Sequence, residues 1–183
     1  SCSVGQFFAR YPRYCVSLLG VAFLGMFHCM TENYLIAIVT PLGGDSSTVG
    51  TALFISSMVA GPVIFFFSRI RGVLRDSAIL KLAGVSFVIK AVGFLLARSI
   101  GAIYALELLQ LTSYGLLAPA QVYYASSMVR AADMVKGQAF ITAFYALGCA
   151  AGNFAGGQLL GHGMRAILLA GIAMAAAGTL ILF

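Results

Sequence analysis

Residues 77–97 read SAILKLAGVSFVIKAVGFLLA, an apolar run broken only by Lys81 near its start and Lys90 past its middle. Wound as a helix at about 1.5 Å per residue, such a run is about 30 Å long, the thickness of a bilayer's hydrocarbon core. It is too long and too continuous for a strand of an outer-membrane barrel, which alternates apolar and polar residues over about ten positions. Five further runs of the same kind flank it, over residues 14–39, 49–67, 100–128, 137–160 and 164–183. The expected fold class is an all-α membrane protein with six transmembrane helices. It follows a lead-in segment at residues 1–13, expected to be cytoplasmic. The run over 100–128 is long enough to tilt or kink, and Pro119 is its expected hinge.

Composition agrees. Of 183 residues, 61% are hydrophobic and 9% charged, and the mean hydropathy is +1.01. A water-facing surface needs roughly 25% charged residues, so the solvent of this chain is lipid. The net charge of +6 invites a nucleic-acid reading. The cations, however, cluster between apolar runs, where topology signals belong, and no nucleic-acid partner is expected. Eight of the eleven basic residues (Arg10, Arg13, Arg69, Arg71, Arg75, Lys81, Arg130, Lys136) fall on one side of the expected membrane, and only Arg98 and Arg165 on the other. This bias places the N-terminus and the basic loops in the cytoplasm. The four cysteines, Cys2, Cys15, Cys29 and Cys149, form no C-x-x-C pair, so neither a metal site nor a disulfide framework is expected. The chain starts at Ser1 and ends inside an apolar run, which reads as a piece of a longer protein. No cleavable signal peptide is visible, because Arg10, Pro12 and Arg13 precede the first long run.

Four stretches in order carry a resemblance. Ala60 to Arg69 (AGPVIFFFSR) runs a proline-containing helix into a basic loop; Lys90 sits inside the third run; Glu107-Leu108-Leu109-Gln110 precedes Ser113-Tyr114-Gly115; and Gly148, Gly152, Gly156 and Gly157 mark the fifth run. Together they resemble the C-terminal half of the major facilitator superfamily, in particular its lactose-permease-like, proton-coupled branch. That resemblance implies six helices built as a 3+3 inverted repeat, half of a twelve-helix fold whose missing N-terminal six-helix half would be the partner. It implies a permease of a bacterial inner membrane that moves a small polar organic solute by proton-coupled symport and alternating access, without a cofactor. Three positions depart from the branch. Ala60 stands where many relatives have an acidic residue, Gln110 where they often have His, and Ser113 where lactose permease has Glu.

Ionisable residues inside a span cost on the order of 3 kcal/mol at the membrane centre, so each needs a partner, water or a function. His28, Glu32, Lys90 and Glu107 are such residues. Glu32, Lys90 and Glu107 lie at similar depth, which permits a salt-linked cluster around Lys90. His28 shares a helix face with Glu32, and Gln110 with Glu107. One reading is a polar cavity in which Glu32 or Glu107 loads a proton beside Lys90, with Gln110, His28 and Gln121 lining it. The other is that Lys90 snorkels to an interface and Glu107 merely lowers its insertion cost. Tyr114, Tyr123, Tyr124 and Tyr145 are weaker lining candidates. Gly148, Gly152 and Gly156 are expected to pack helices. Arg69, Arg71 and Arg75 are expected in a topology-setting loop, with gating as the sharper alternative.

No catalytic residue is expected. A rhomboid-type protease needs a G-x-S-x-G-like serine with a histidine partner, and His28 and His162 have no such arrangement. The remaining rivals are a non-transporting receptor or assembly subunit and a six-helix half-transporter acting as a dimer. The receptor reading expects Glu32, Lys90 and Glu107 to face unrelated surfaces.

Overall fold

The computed structural model describes residues 3–183. Cys2 lies outside the described residues. The described chain is helical, without strands, and six of its helical stretches are long and apolar enough to cross a membrane. These are Pro12–Asn33, Ser46–Phe65, Asp76–Leu96, Ile100–Met128, Ala131–Leu160 and Met164–Leu182.

The lead-in is itself folded. Helix α1, Val4–Arg10, is opened by a capping box in which Ser3 and Gln6 satisfy each other's backbone N–H. Its Phe7 is fully buried and packs on Tyr11, Tyr14 and Phe140. Tyr11 then donates to Asp133 at 2.9 Å, which ties this end to the start of the fifth span.

The first span is two helices. α2, Pro12–Asn33, has Pro12 at its first turn, where a missing N–H costs nothing. It ends at Tyr34 (φ −106°, ψ 19°), and α3, Leu35–Val39, restarts the helix. α4, Ser46–Phe65, begins at Asp45, whose carboxylate accepts from the Thr48 backbone N–H at 2.9 Å and its hydroxyl at 3.1 Å. Those bonds hold the Asp45 carboxyl below the usual range. The basic loop contains a short helix α5, Phe67–Arg71, and α6, Asp76–Leu96, follows.

The fourth span corrects the expectation about its hinge. Pro119 lies inside a continuous α8, Tyr114–Met128. The break falls earlier, between α7, Ile100–Glu107, and α8, through a 3-10 turn at Leu108–Leu111 and a non-helical Ser113. Proline removes one backbone hydrogen bond within α8. The larger departure lies where Gln110 and Ser113 turn toward the interior, both buried. α9, Met134–Leu160, and α10, Met164–Leu182, complete the chain.

α2, α10, α6, α8 and α9 pack in a ring, each against the next, while α4 docks on one side against α7, the 3-10 turn and α8. The closest pair is α2 with α9. A Cβ on Gly148 or Gly152 would collide with the backbone of Ala22 or Met26, and one on Gly156 with the Tyr34 ring. The glycine stripe therefore faces α2. Two apolar clusters fill the bundle. One gathers Phe7, Tyr14, Leu24, Phe27 and Phe87. The other, smaller, gathers Leu35, Ile38, Phe94, Ile103 and Leu168. Phe87, Lys90 and Phe94 share one face of α6, so the lysine sits between the two clusters.

Candidate functional site: a lysine held by two carboxylates

Lys90 is 1% exposed, in the middle of α6. Its ammonium has three N–H donors and uses all of them. It donates to Glu32 Oε1, Glu107 Oε2 and Gln110 Oε1, each at 2.8 Å. The Phe94 ring lies 5.4 Å away, presenting a second, weaker cation contact. Each partner arrives from a different element. Glu32 comes from the last turn of α2, Glu107 from the end of α7, and Gln110 from the 3-10 turn. The break after Glu107 lets one span aim both Glu107 and Gln110 at the same ammonium. Ser113 donates to Gln110 Oε1 at 3.4 Å and so fixes the amide's orientation.

The two carboxylates differ. Glu107 is fully buried, and its Oε1 accepts no hydrogen bond among the described residues. Glu32 keeps 14% of its side chain exposed, toward a cavity of about 530 Å³. His28, Asn33, Gln110 and Tyr114 line that cavity with Glu32. The His28 imidazole stacks on the Tyr114 ring (4.6 Å between centroids, 10° between planes). With both carboxylates ionised the cluster carries one net negative charge, and one added proton neutralises it.

The opposite wall of the cavity comes from α4: Leu53, Ser56, Ser57, Ala60, Gly61 and Ile64. Sequence reasoning noted Ala60 but passed over Leu53, Ser56 and Ser57 as lining residues. The available signal was a serine pair on an apolar helix with small residues three and four positions on, which is one helix face. Ala60, where an acidic residue is common in the resembling branch, leaves room in this wall. Gly115 allows the wall to close on the break: a Cβ there would lie 3.0 Å from the Gln110 carbonyl oxygen and 3.3 Å from the Ala60 Cα.

Gln121 stands apart. It is buried in α8, its Oε1 accepts no hydrogen bond among the described residues, and it does not line this cavity. Tyr145 approaches Tyr114 at 6.4 Å. Tyr123 and Tyr124 belong to a separate cavity of about 720 Å³ at the other end of the bundle, with Arg71, Arg75 and Asp76. There Arg71 donates to both Asp76 oxygens, at 2.6 and 3.0 Å, and its guanidinium lies 4.2 Å over the Tyr123 ring. Arg69 lies over Phe66.

The expectation of no disulfide is corrected. Cys29 and Cys149 form one, with Cα atoms 5.0 Å apart, joining α2 to α9. The two cysteines are 120 residues apart in sequence, and only the packing of the glycine stripe on α2 brings them together. One turn farther, Asn33 donates to Asn153 Oδ1 at 2.7 Å, and the Tyr34 hydroxyl donates to the Asn153 carbonyl at 2.9 Å. Cys15 is a free thiol. Among the described residues no group of three or more His, Cys, Asp or Glu side chains could hold a metal ion.

Comparison with known proteins finds no family model and no curated protein that matches this chain.

Proposed function

We propose that this chain is one six-helix half of a proton-coupled secondary transporter, similar in design to the C-terminal half of major facilitator permeases. It moves a small polar organic solute by alternating access, with its basic loops in the cytoplasm. One observation carries the reading: a lysine deep between spanning helices, held by two carboxylates from two other spans, one of which lines a cavity. Intramembrane charges that converge on a water-accessible cavity mark ion and solute pathways. The receptor or assembly-subunit reading expected these charges on unrelated surfaces, and their convergence on one ammonium favours the transporter reading over it.

The chemistry follows from the charge count. The charge-separated cluster is one positive charge short of neutrality, in a region where a net charge is costly. A proton arriving through the cavity by Glu32 settles on Glu107, whose Oε1 has a free acceptor position. Glu107 then loosens its hold on Lys90, and the solute engages Glu32, Gln110 and the α4 serines. The loaded, neutral site changes its side of access by flexing at the 108–113 break and releases both. Proton and solute thus move in the same direction. The partner is a second six-helix half, either on the same polypeptide or in a second copy of this chain. The position of the disulfide supports the orientation: Cys29 and Cys149 lie in the halves of α2 and α9 away from the basic loops, on the side that is oxidising when those loops are cytoplasmic.

The test is solute-driven proton movement in proteoliposomes holding the protein, screened over sugars, nucleosides and aromatic acids. Alkalinisation on the side of solute addition, with one class, is the expected result. Folded protein that moves no proton with any class refutes proton symport.

A further inference from the structure

We propose that the Cys29–Cys149 disulfide is the positioning clamp of Glu32: it holds the last turn of α2 on α9 so that Glu32 reaches Lys90, and its reduction releases that turn and weakens the pair. The inference rests on the transporter reading only for its effect on coupling.

The last turn of α2 is where helical order runs out. A helix end leaves four carbonyls without intrahelical partners and frays unless something ties it down. Here α2 stops at Tyr34 and α3 restarts immediately, so residues 28–34 lie beside a break in the helix. That turn carries His28 and Glu32, both facing the cavity.

Three links tie the end of α2 to α9: the disulfide at Cys29, the hydrogen bond from the Asn33 amide to Asn153 Oδ1, and the Tyr34 hydroxyl on the Asn153 carbonyl. The cysteines and the asparagines are each four residues apart on their own helix, so the links stack one turn above another along a single seam. The amide pair is exposed, and water competes for it. The disulfide is the covalent one of the three. Glu32 lies on the same turn, and the one hydrogen bond it makes among the described residues is the one from Lys90 across to α6. Cys149 lies between Gly148 and Gly152, so the disulfide is built into the glycine seam, and a shift of about an ångström at the end of α2 lengthens a 2.8 Å bond past useful range.

The clamp is reachable. Cys29 lines the same cavity as Glu32 and is partly exposed, so a small thiol reductant entering the cavity meets it. Exchange with a dithiol breaks the Cys29–Cys149 bond and leaves two thiols in the protein. The dithiol gives up two electrons and two protons and closes to its own disulfide.

The experiment uses the reconstituted protein before and after dithiothreitol, with cysteine labelling read by mass at Cys29 and Cys149 and the free Cys15 as internal standard. After reduction, amide hydrogen exchange over residues 28–34 is expected to rise by about tenfold or more while residues 18–24 hold. The pH profile of solute-driven proton movement is expected to shift, because Glu32 titrates without its lysine, and reoxidation is expected to restore both. Cys29→Ser with Cys149→Ser should behave as the reduced protein. New thiols at both positions with unchanged exchange and an unchanged pH profile overturn the proposal, and so does a folded protein whose disulfide dithiothreitol cannot reach. If the oxidised protein moves no proton at all, the transporter reading fails, and the exchange measurement still decides the clamp.

Discussion

Lys90 brings three donors into an apolar interior and finds three acceptors at 2.8 Å, so no donor is left unsatisfied there. The neighbouring carboxylates depend on it in turn. Lys90→Ala leaves Glu32 and Glu107 facing each other without a counter-charge, and removing one partner of a buried pair costs about 3–5 kcal/mol. Coupled accumulation is expected to be abolished, while membrane insertion persists. Glu107→Gln separates coupling from binding. The amide still accepts from Lys90, and the cluster becomes neutral without a proton. Equilibrium exchange of solute should therefore survive while uphill accumulation is lost. Comparing counterflow with proton-driven uptake for both variants checks this, and normal uphill uptake by either removes that residue from the coupling step.

At the scale of elements, the spans are shaped by close approach as much as by hydrophobicity. α9 can lie on α2 because Gly148 and Gly152 have no side chain to separate the backbones. Gly152→Ala forces the helices apart at Met26, at a cost of about 1–3 kcal/mol for overpacking. Gly50→Ala, on α4 with nothing within 4 Å of its would-be Cβ, is expected to be neutral or slightly stabilising. Thermal unfolding of the two variants in the same detergent should separate them by several degrees; equal melting temperatures refute the tight α2–α9 seam. The breaks in the spans were harder to foresee than the spans. Pro119 was the visible signal and stays within α8, while the break that aims Glu107 and Gln110 carries no proline or glycine of its own. It follows from the pull of buried side chains toward Lys90, which no local propensity records.

At the scale of the molecule, the uneven distribution of Lys and Arg predicts which end of the bundle meets the cytoplasm. An epitope inserted at the exposed turn 161–163 should be accessible on spheroplasts stripped of the outer membrane, and one at 72–75 only after the inner membrane is permeabilised; exposed turns tolerate such insertions. The reverse pattern inverts the orientation and, with it, the redox environment of the disulfide. The ring of five helices with α4 on one side also leaves large apolar residues such as Phe54, Met58 and Phe65 on the outside. For a chain in lipid this is ordinary solvation.

The amino-acid sequence by itself determined the number of long apolar helices, their approximate limits and the presence of Glu32, Lys90 and Glu107 inside them. Burial in hydrocarbon forces long apolar runs, and helical rise converts position into depth. It singled out those three residues and Gln110 because a charge or amide in a span is conspicuous against 61% hydrophobic composition. Only the tertiary structure decided that the three spans turn the same way, so that one ammonium meets two carboxylates and an amide. It alone joined Cys29 to Cys149, built the cavity wall from the α4 serines, and left Gln121 outside. Rotation of a helix about its axis is set by packing against its neighbours, and helices that are apolar on every side carry little local record of which face turns inward.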